Sequence, residues 1–490
     1  MKSKLIKLWN SSTIITAIGC LFLLAITMIP MIYISQYVWP CADDFEMGLG
    51  TKAALEQTGS LWEVLKEAAR FAGYKYENWQ GTFSAIFLMA LQPGIWGDEY
   101  YGIGAVIVIV CLLVSVFVLT YVLMRKLAKC TRSVWLILCT LPLWAWLMRV
   151  MYTEEAFYWW NGAFYYVGFH SCAMLMTAAA LCVWNGWEKY GKLKKAVCLI
   201  LGGMFCFLLG GGNYVTALML VLVLGGMALA AALKRKKSKA VLGVYFSCTL
   251  AALLVSVAAP GNTAHMNANF QNDISAFEAI GIAIKDGLSN VKDWTNVFVV
   301  ALYVFLLPFI WQLARGCSLS FRLPVVATIL SGGLYLAGYA PISYTFGGYA
   351  PGRIVNLYYW NYYWLLLFNI FYWIGWIDTK IRVRQTSLQH IYLCITGVFF
   401  LLSIHSTGIE NTNLYMMLKD LNGGVFQMAD TFQQDRKEYF EAHQGEDVVV
   451  ERLPYRSEIT FFVDLVSKDH IFNTTMAEYY GVKSISVSGE

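Results

Sequence analysis

Charge is what this chain has least of. Lys, Arg, Asp and Glu supply 14% of its 490 residues, 58% are hydrophobic, and mean hydropathy is +0.54. A soluble globular protein cannot be built from that mixture, because too few polar side chains remain to cover its surface. Disulfides are the next absence: of 12 cysteines only Cys41 falls in an outer segment, so no disulfide framework exists there. No Cys/His spacing suits zinc. The net charge of +5 sits in short basic loops and gives no sign of a nucleic-acid partner.

Long apolar runs are what the chain does have. About eleven recur, over roughly 13–34, 102–124, 133–150, 163–185, 196–210, 213–233, 240–259, 295–314, 324–341, 359–377 and 390–406, each near the ~20 residues that cross a bilayer as helix. The expected fold is an all-α polytopic membrane bundle of about eleven transmembrane helices. Phe83 to Leu91 ends at Gln92-Pro93-Gly94 and is too short to span, which predicts a re-entrant or interfacial helix. The run Ile14 to Val38 lacks a small-residue cleavage site before Asp43 and reads as an anchor, not a signal peptide.

Loop charge orients the bundle. With the N-terminus inside, the inner segments hold Lys2, Lys4, Lys7, Arg125, Lys126, Lys129, Arg132, Lys189, Lys192, Lys194, Lys195, Lys234 to Lys237, Lys239, Arg315, Arg322, Lys380, Arg382 and Arg384. That is about 21 basic residues, against about four in the short outer loops after the first, Arg149 included. The expectation is a multi-pass cell-membrane protein with a cytoplasmic N-terminus and an extracytoplasmic C-terminus. Residues 1–406 form the membrane domain, with a long first outer loop at 36–101. Residues 407–490 form a small soluble α/β domain, with a helix over Phe426 to His443, β-like runs at Val448 to Val450 and Ile459 to Val463, and a short helix near Thr475 to Tyr480.

The polar clusters then fall on one face. The first outer loop carries Cys41-Ala42-Asp43-Asp44-Phe45-Glu46, in which an Asp could also N-cap a helix over Phe45 to Leu55. A helix lying on the membrane face comes after it, with Leu61, Val64, Leu65 and Ala68 at helical spacing. Next come Lys75, Tyr76 and Trp79, whose rings suit an interfacial belt as well as a binding site. The second outer loop places Glu154 and Glu155 beside Trp159, Trp160 and Asn161, where the carboxylates need a metal ion, an Arg or sugar hydroxyls, unless they mark only a solvated tip. Gly210 to Asn213 is a tight turn or a place of close backbone approach. Pro260-Gly261-Asn262 and His265 open a fourth outer loop that continues polar to Trp294. In the fifth, Arg353 is the lone basic residue; its planar fork suits a phosphate, or it anchors a helix end at the headgroups. Asn473 and Tyr479-Tyr480-Gly481 read as core and turn residues.

These clusters together resemble the GT-C superfamily of integral-membrane glycosyltransferases. Ala42-Asp43-Asp44-Phe45, Trp159-Trp160-Asn161-Gly162-Ala163, Gly212-Asn213, Ala259-Pro260-Gly261-Asn262 and the Asn473 to Gly481 ending look similar to an uncharacterised bacterial multi-span family grouped with it. The resemblance implies transfer of a sugar, with inversion, from a polyprenyl-phosphate carrier to a cell-surface glycan or lipid, with membrane lipids as further partners. It implies Asp43 or Asp44 as the general base and, as in some relatives, a divalent ion (Mg2+ or Mn2+) among Asp44, Glu154 and Glu155. The chain departs from metal-using relatives in having Glu154-Glu155 where an Asp-Glu pair is usual. Arg353 and Lys75 are the candidate donor-phosphate residues. Tyr76, Trp79, Trp159, Trp160, Asn161, Asn213, Asn262 and His265 are candidate substrate contacts. A transporter or flippase of sugars or lipid-linked sugars is the competing expectation; its groups belong at the bilayer midplane.

Overall fold

The computed structural model describes residues 2–269, 274–381 and 389–488; Arg382 and Arg384 of the inner loops lie outside them. The N-terminal anchor is α1 (Lys2–Ile34). The first outer segment folds as α2 (Asp43–Thr58), which begins in the acidic stretch, then α3 (Leu61–Asn78) and the short α4 (Phe83–Met89). Then come α5 (Ile103–Thr120), α6 (Arg132–Arg149), the single turn α7 (Trp160–Ala163) and α8 (Phe169–Gly186). The next three helices pack on one another: α9 (Lys192–Gly210), α10 (Tyr214–Leu233) and α11 (Lys239–Val257).

Beyond them are α12 (Pro260–Asn269), α13 (Ala276–Trp294), α14 (Val297–Gly316), α15 (Pro324–Ala337), α16 (Ala340–Phe346), α17 (Gly352–Ile381) and α18 (Gln389–Ser406).

Among the described residues eight helices are long and apolar enough to cross a membrane, fewer than the eleven runs predicted. The remaining three runs are helical too, as α6, α17 and α18. Trp, Tyr, Asn, Pro and Arg lower the hydropathy of α6 and α17, and α18 is short. α6 buries 13 of its 18 residues and α17 buries most of its first half, and a helix stretch sheathed by protein has no need of a lipid-facing surface. The predicted loop up to Trp294 is instead α13, started by a capping box in which Ser275 and Glu278 satisfy each other's backbone N–H.

Two short pieces behave as their composition suggests. α3 buries Val64, Ala68 and Ala72 on one side and carries the exposed ion pairs Glu63–Lys66 at 2.8 Å and Glu67–Arg70 at 2.6 Å on another. α4 enters the end of the bundle: Ser84 donates its N–H to the Gly211 carbonyl (3.1 Å) and its hydroxyl to that of Leu208 (2.5 Å). The glycine turn before Asn213 is a close approach, since a Cβ at Gly211 or Gly212 would strike the ring of Phe83 or Phe169.

After Ser406 the chain forms α19 (Asn413–Asn422), α20 (Val425–Ala442), β1 (Asp447–Val450), α21 (Ile471–Tyr480) and β2 (Ser484–Val487). β1 and β2 pair in parallel, with Val448 opposite Ile485. Ile459 to Val463, predicted as a strand, forms none: Ile459 and Thr460 lie in a bend, and Phe461 packs on a ring of the bundle instead of facing a sheet partner. Asn473 is a core clamp, accepting from Val466 N–H and donating to the Ile485 carbonyl. Tyr479 and Tyr480 do more than turn the chain. Their hydroxyls reach Asp98 at 3.2 and 2.9 Å, and Phe45 of α2 packs edge-on against Tyr479 within the same apolar cluster as Val448 and Ile485.

Candidate functional site

The acidic stretch is held by its backbone and by one buried carboxyl. Ala42 sits at φ 52°, in the left-handed region where a Cβ costs ~1–3 kcal/mol, and it, not an Asp, occupies the N-cap of α2. Asp43 is thereby the first residue of α2, at the positive end of the helix dipole. Asp44 turns inward and is 0% exposed. Its Oδ2 accepts from the Cys41 N–H (3.0 Å) and the Tyr101 hydroxyl (2.6 Å), while the Tyr101 oxygen accepts from the Trp160 N–H (2.9 Å). Gln92 also donates to the Asp44 carbonyl. One carboxyl thus ties the first segment to the second.

Burial pushes the Asp44 carboxyl from 3.8 up to about 8. A carboxyl that binds its proton more tightly folded than unfolded stabilises the fold fully below the unfolded value, and that contribution fades as pH rises towards 8. The thermal midpoint is therefore expected to fall between about pH 5 and 8. In Asp44→Asn the slope should shrink without vanishing, since burial also lifts Glu154 to about 7. An unchanged slope in that variant would remove Asp44 as the source.

Asp43 is the opposite kind of carboxylate. It is partly exposed and takes no hydrogen bond among the described residues. Burial raises its pKa first and Glu46 raises it further, while Arg353 and Lys75 pull it down. Those influences identify its neighbours: Lys75 of α3, whose Nζ lies 2.5 Å from Glu46 Oε1, and Arg353, the second residue of α17. Arg353 is fixed from several sides. Its backbone N–H donates to Glu155 Oε2 at 2.7 Å and its Nη1 lies 3.4 Å from the same oxygen. Its guanidinium stands over the rings of Trp159 and Tyr166, at 5.4 and 5.8 Å. Glu155 therefore caps α17 and orients the Arg at once.

A roof comes from the C-terminal segment. Phe461 stacks on Trp159 with centroids 4.3 Å apart, and the Cys41 thiol donates to the Phe461 carbonyl at 3.9 Å. One short stretch thus touches both the acidic stretch and the ring that carries Arg353.

The remaining predicted residues divide. Lys75 stands over Trp79 at 5.4 Å, and Trp79 packs on His265 of α12 at 3.9 Å, so these three form one group beside Glu46. Asn161 is 3% exposed with both amide atoms unpartnered, and the Trp159 indole N–H is unpartnered too. Buried polar atoms in that condition cost free energy unless a ligand or water meets them. Asn262, by contrast, is fully used: Oδ1 accepts from the Gly81 N–H and the Tyr214 hydroxyl, and Nδ2 donates to the Ser256 and Val257 carbonyls. Asn213 caps α10, Tyr76 donates to the Val255 carbonyl, and the Trp160 indole donates to that of Leu88. These four hold the loops in place through those hydrogen bonds, and the Trp160 N–H is linked through Tyr101 to Asp44.

The metal reading does not fit the donor set. Asp44 is sealed, with its Oδ2 already accepting two hydrogen bonds; Glu155 is engaged by Arg353; and Glu154 faces Arg456 and Glu458. No group of three His, Cys, Asp or Glu side chains able to hold a metal ion occurs among the described residues. Sequence reasoning missed Tyr101, Tyr166 and Phe461, which look like ordinary span and loop aromatics. Nor did spacing give a role to Glu46, three residues after Asp43, which the structure pairs with Lys75. In comparisons with known proteins, no family model, no curated protein and no solved structure matches the chain.

Proposed function

We propose that the chain is a membrane glycosyltransferase that moves a sugar from a polyprenyl-phosphate carrier to an extracytoplasmic glycan or lipid acceptor. One observation carries the reading: Asp43, a carboxylate with no hydrogen-bond partner among the described residues, lies close enough to Arg353, a guanidinium braced by Glu155 and Trp159, to feel its charge, although 310 positions separate them in the chain. Such a reaction needs a base on one side of the anomeric carbon and a cation on the other. Asp43 takes the proton of the acceptor hydroxyl as its oxygen bonds to that carbon. The bond from carbon to phosphate oxygen breaks with its electron pair, and Arg353, with Lys75 nearby, meets the growing charge. A single displacement of this kind inverts the configuration.

Asp44 is assigned to positioning, because a sealed carboxyl cannot reach a substrate hydroxyl. The site stands at helix starts, where Asp43 opens α2 and Arg353 opens α17, which favours surface chemistry over carriage through the midplane. The test is a labelled polyprenyl-phosphate sugar supplied to the purified full chain in vesicles with a cell-envelope glycan extract. The expected result is label on the glycan and free polyprenyl phosphate. Movement of label across the vesicle with the sugar–phosphate bond intact would establish transport instead. Transfer is expected to persist in EDTA, because no group of three His, Cys, Asp or Glu side chains able to hold a metal occurs among the described residues; loss restored by Mg2+ or Mn2+ would overturn that expectation.

A further inference from the structure

α13 shows three faces where a helix between a protein core and water shows two. At ~100° per residue, Ala279, Ala283 and Gly287 form one side, and all three are buried. Gly287 is pressed against α15 and α16 so closely that a Cβ there would meet Leu336 at 2.4 Å, and Asn290 donates to the Tyr339 hydroxyl at 3.0 Å. A second side carries Glu278, Lys285, Ser289 and Lys292. The third is apolar and uncovered: Phe277, Ile280, Ile284 and Leu288 are 88%, 50%, 43% and 57% exposed. Their spacing keeps them within ~80° of the helix circumference. A stripe this continuous is not the scatter of single apolar residues that any surface tolerates.

The surroundings say what covers it. The buried side of α13 packs on α15, whose Val325, Ile329 and Leu330 are exposed and which belongs to a helix long and apolar enough to span. At the far end of α13, Trp294 packs edge-on against the buried Tyr359 and Tyr362 of α17, which ties that end to the bundle core. A groove of ≈ 560 Å³ lined by Ile274, Glu278, Gly281, Ile282 and Lys285 runs along the charged side, where a headgroup would meet it.

We propose that α13 lies in the plane of a lipid bilayer's interface, with Phe277, Ile280, Ile284 and Leu288 among the acyl chains and its charged side in water. Nothing in this depends on sugar transfer. The buried side locks the helix to the bundle, so α13 fixes the bundle's depth in the membrane. A two-faced interfacial helix can ride up and down; this one cannot.

The test places photoreactive p-benzoylphenylalanine, one position at a time, at 277, 284, 285 or 289 of the full chain in phosphatidylethanolamine–phosphatidylglycerol vesicles. Lipid adducts are read by mass spectrometry after illumination. Adducts at 277 and 284 should exceed those at 285 and 289 by about tenfold or more. Equal yields on both sides would overturn the proposal, as would cross-links to another protein chain at 277 and 284 in place of lipid adducts. Because Phe277 is almost wholly exposed, its replacement leaves the packed side untouched, and a thermal midpoint equal to that of the wild type verifies this for each variant.

Discussion

Asp43→Asn is expected to lower sugar transfer by about 10²- to 10⁴-fold, the usual contribution of a positioned base. The protein should remain folded. Asn has the shape of Asp, the wild-type carboxylate has no hydrogen bond to lose, and removing its charge relieves repulsion from Glu46. Stability is therefore expected to hold or rise while activity falls, a combination that a structural role cannot produce. The pH profile gives an independent readout. Burial and Glu46 lift the Asp43 pKa, so kcat/KM should climb with pH along an acid limb lying above the ordinary carboxylate value of 3.8, as the base loses its proton. That limb should be missing from the residual activity of the variant. A wild-type rate in Asp43→Asn, or an unaltered acid limb, would sink the assignment.

Arg353→Ala should cost about 10²- to 10³-fold in kcat/KM, with the loss falling on the donor and not on the acceptor. The substitution has a second effect that must be separated from the first. It strips Glu155 of its partner, and a half-buried carboxylate left alone destabilises the fold. The double variant Arg353→Ala, Glu155→Gln removes that charge, so it should recover stability and leave transfer as low as before. Arg353→Lys keeps the charge but loses the planar fork and the stack on Trp159, and is expected to fall between wild type and Ala. Unchanged donor affinity in the double variant would reassign the phosphate contact, with Lys75 next in line.

Some of this was legible in the residues because it rests on local patterning. Apolar runs of spanning length, a helix over Leu61–Asn78 that buries Val64 and Ala68, and the short piece ending at Gln92-Pro93-Gly94 occur where periodicity places them, although Leu61 and Leu65 of that helix stay exposed. The count of spanning helices was harder. Hydropathy measures what a helix can offer to lipid, whereas α6 and the first half of α17 offer most of their surface to other helices. The strand expected at Ile459 to Val463 failed for a related reason. β-rich composition says that a segment can be extended, but a ladder needs a partner, and β1 pairs with Ser484 to Val487, more than thirty positions downstream.

What the sequence settled by itself is the solvent this protein is built for: too little charge for water and enough long apolar helix for lipid, both sums over residues that need no contact map. What only the tertiary structure decided is the division of labour between Asp43 and Asp44. Adjacent in the chain and alike in chemistry, they start a helix whose ~100° turn per residue sets one within the influence of Arg353 and Lys75 and points the other onto Tyr101. Whether a carboxyl can serve as a base depends on what surrounds it, and those surroundings come from segments tens to hundreds of residues away.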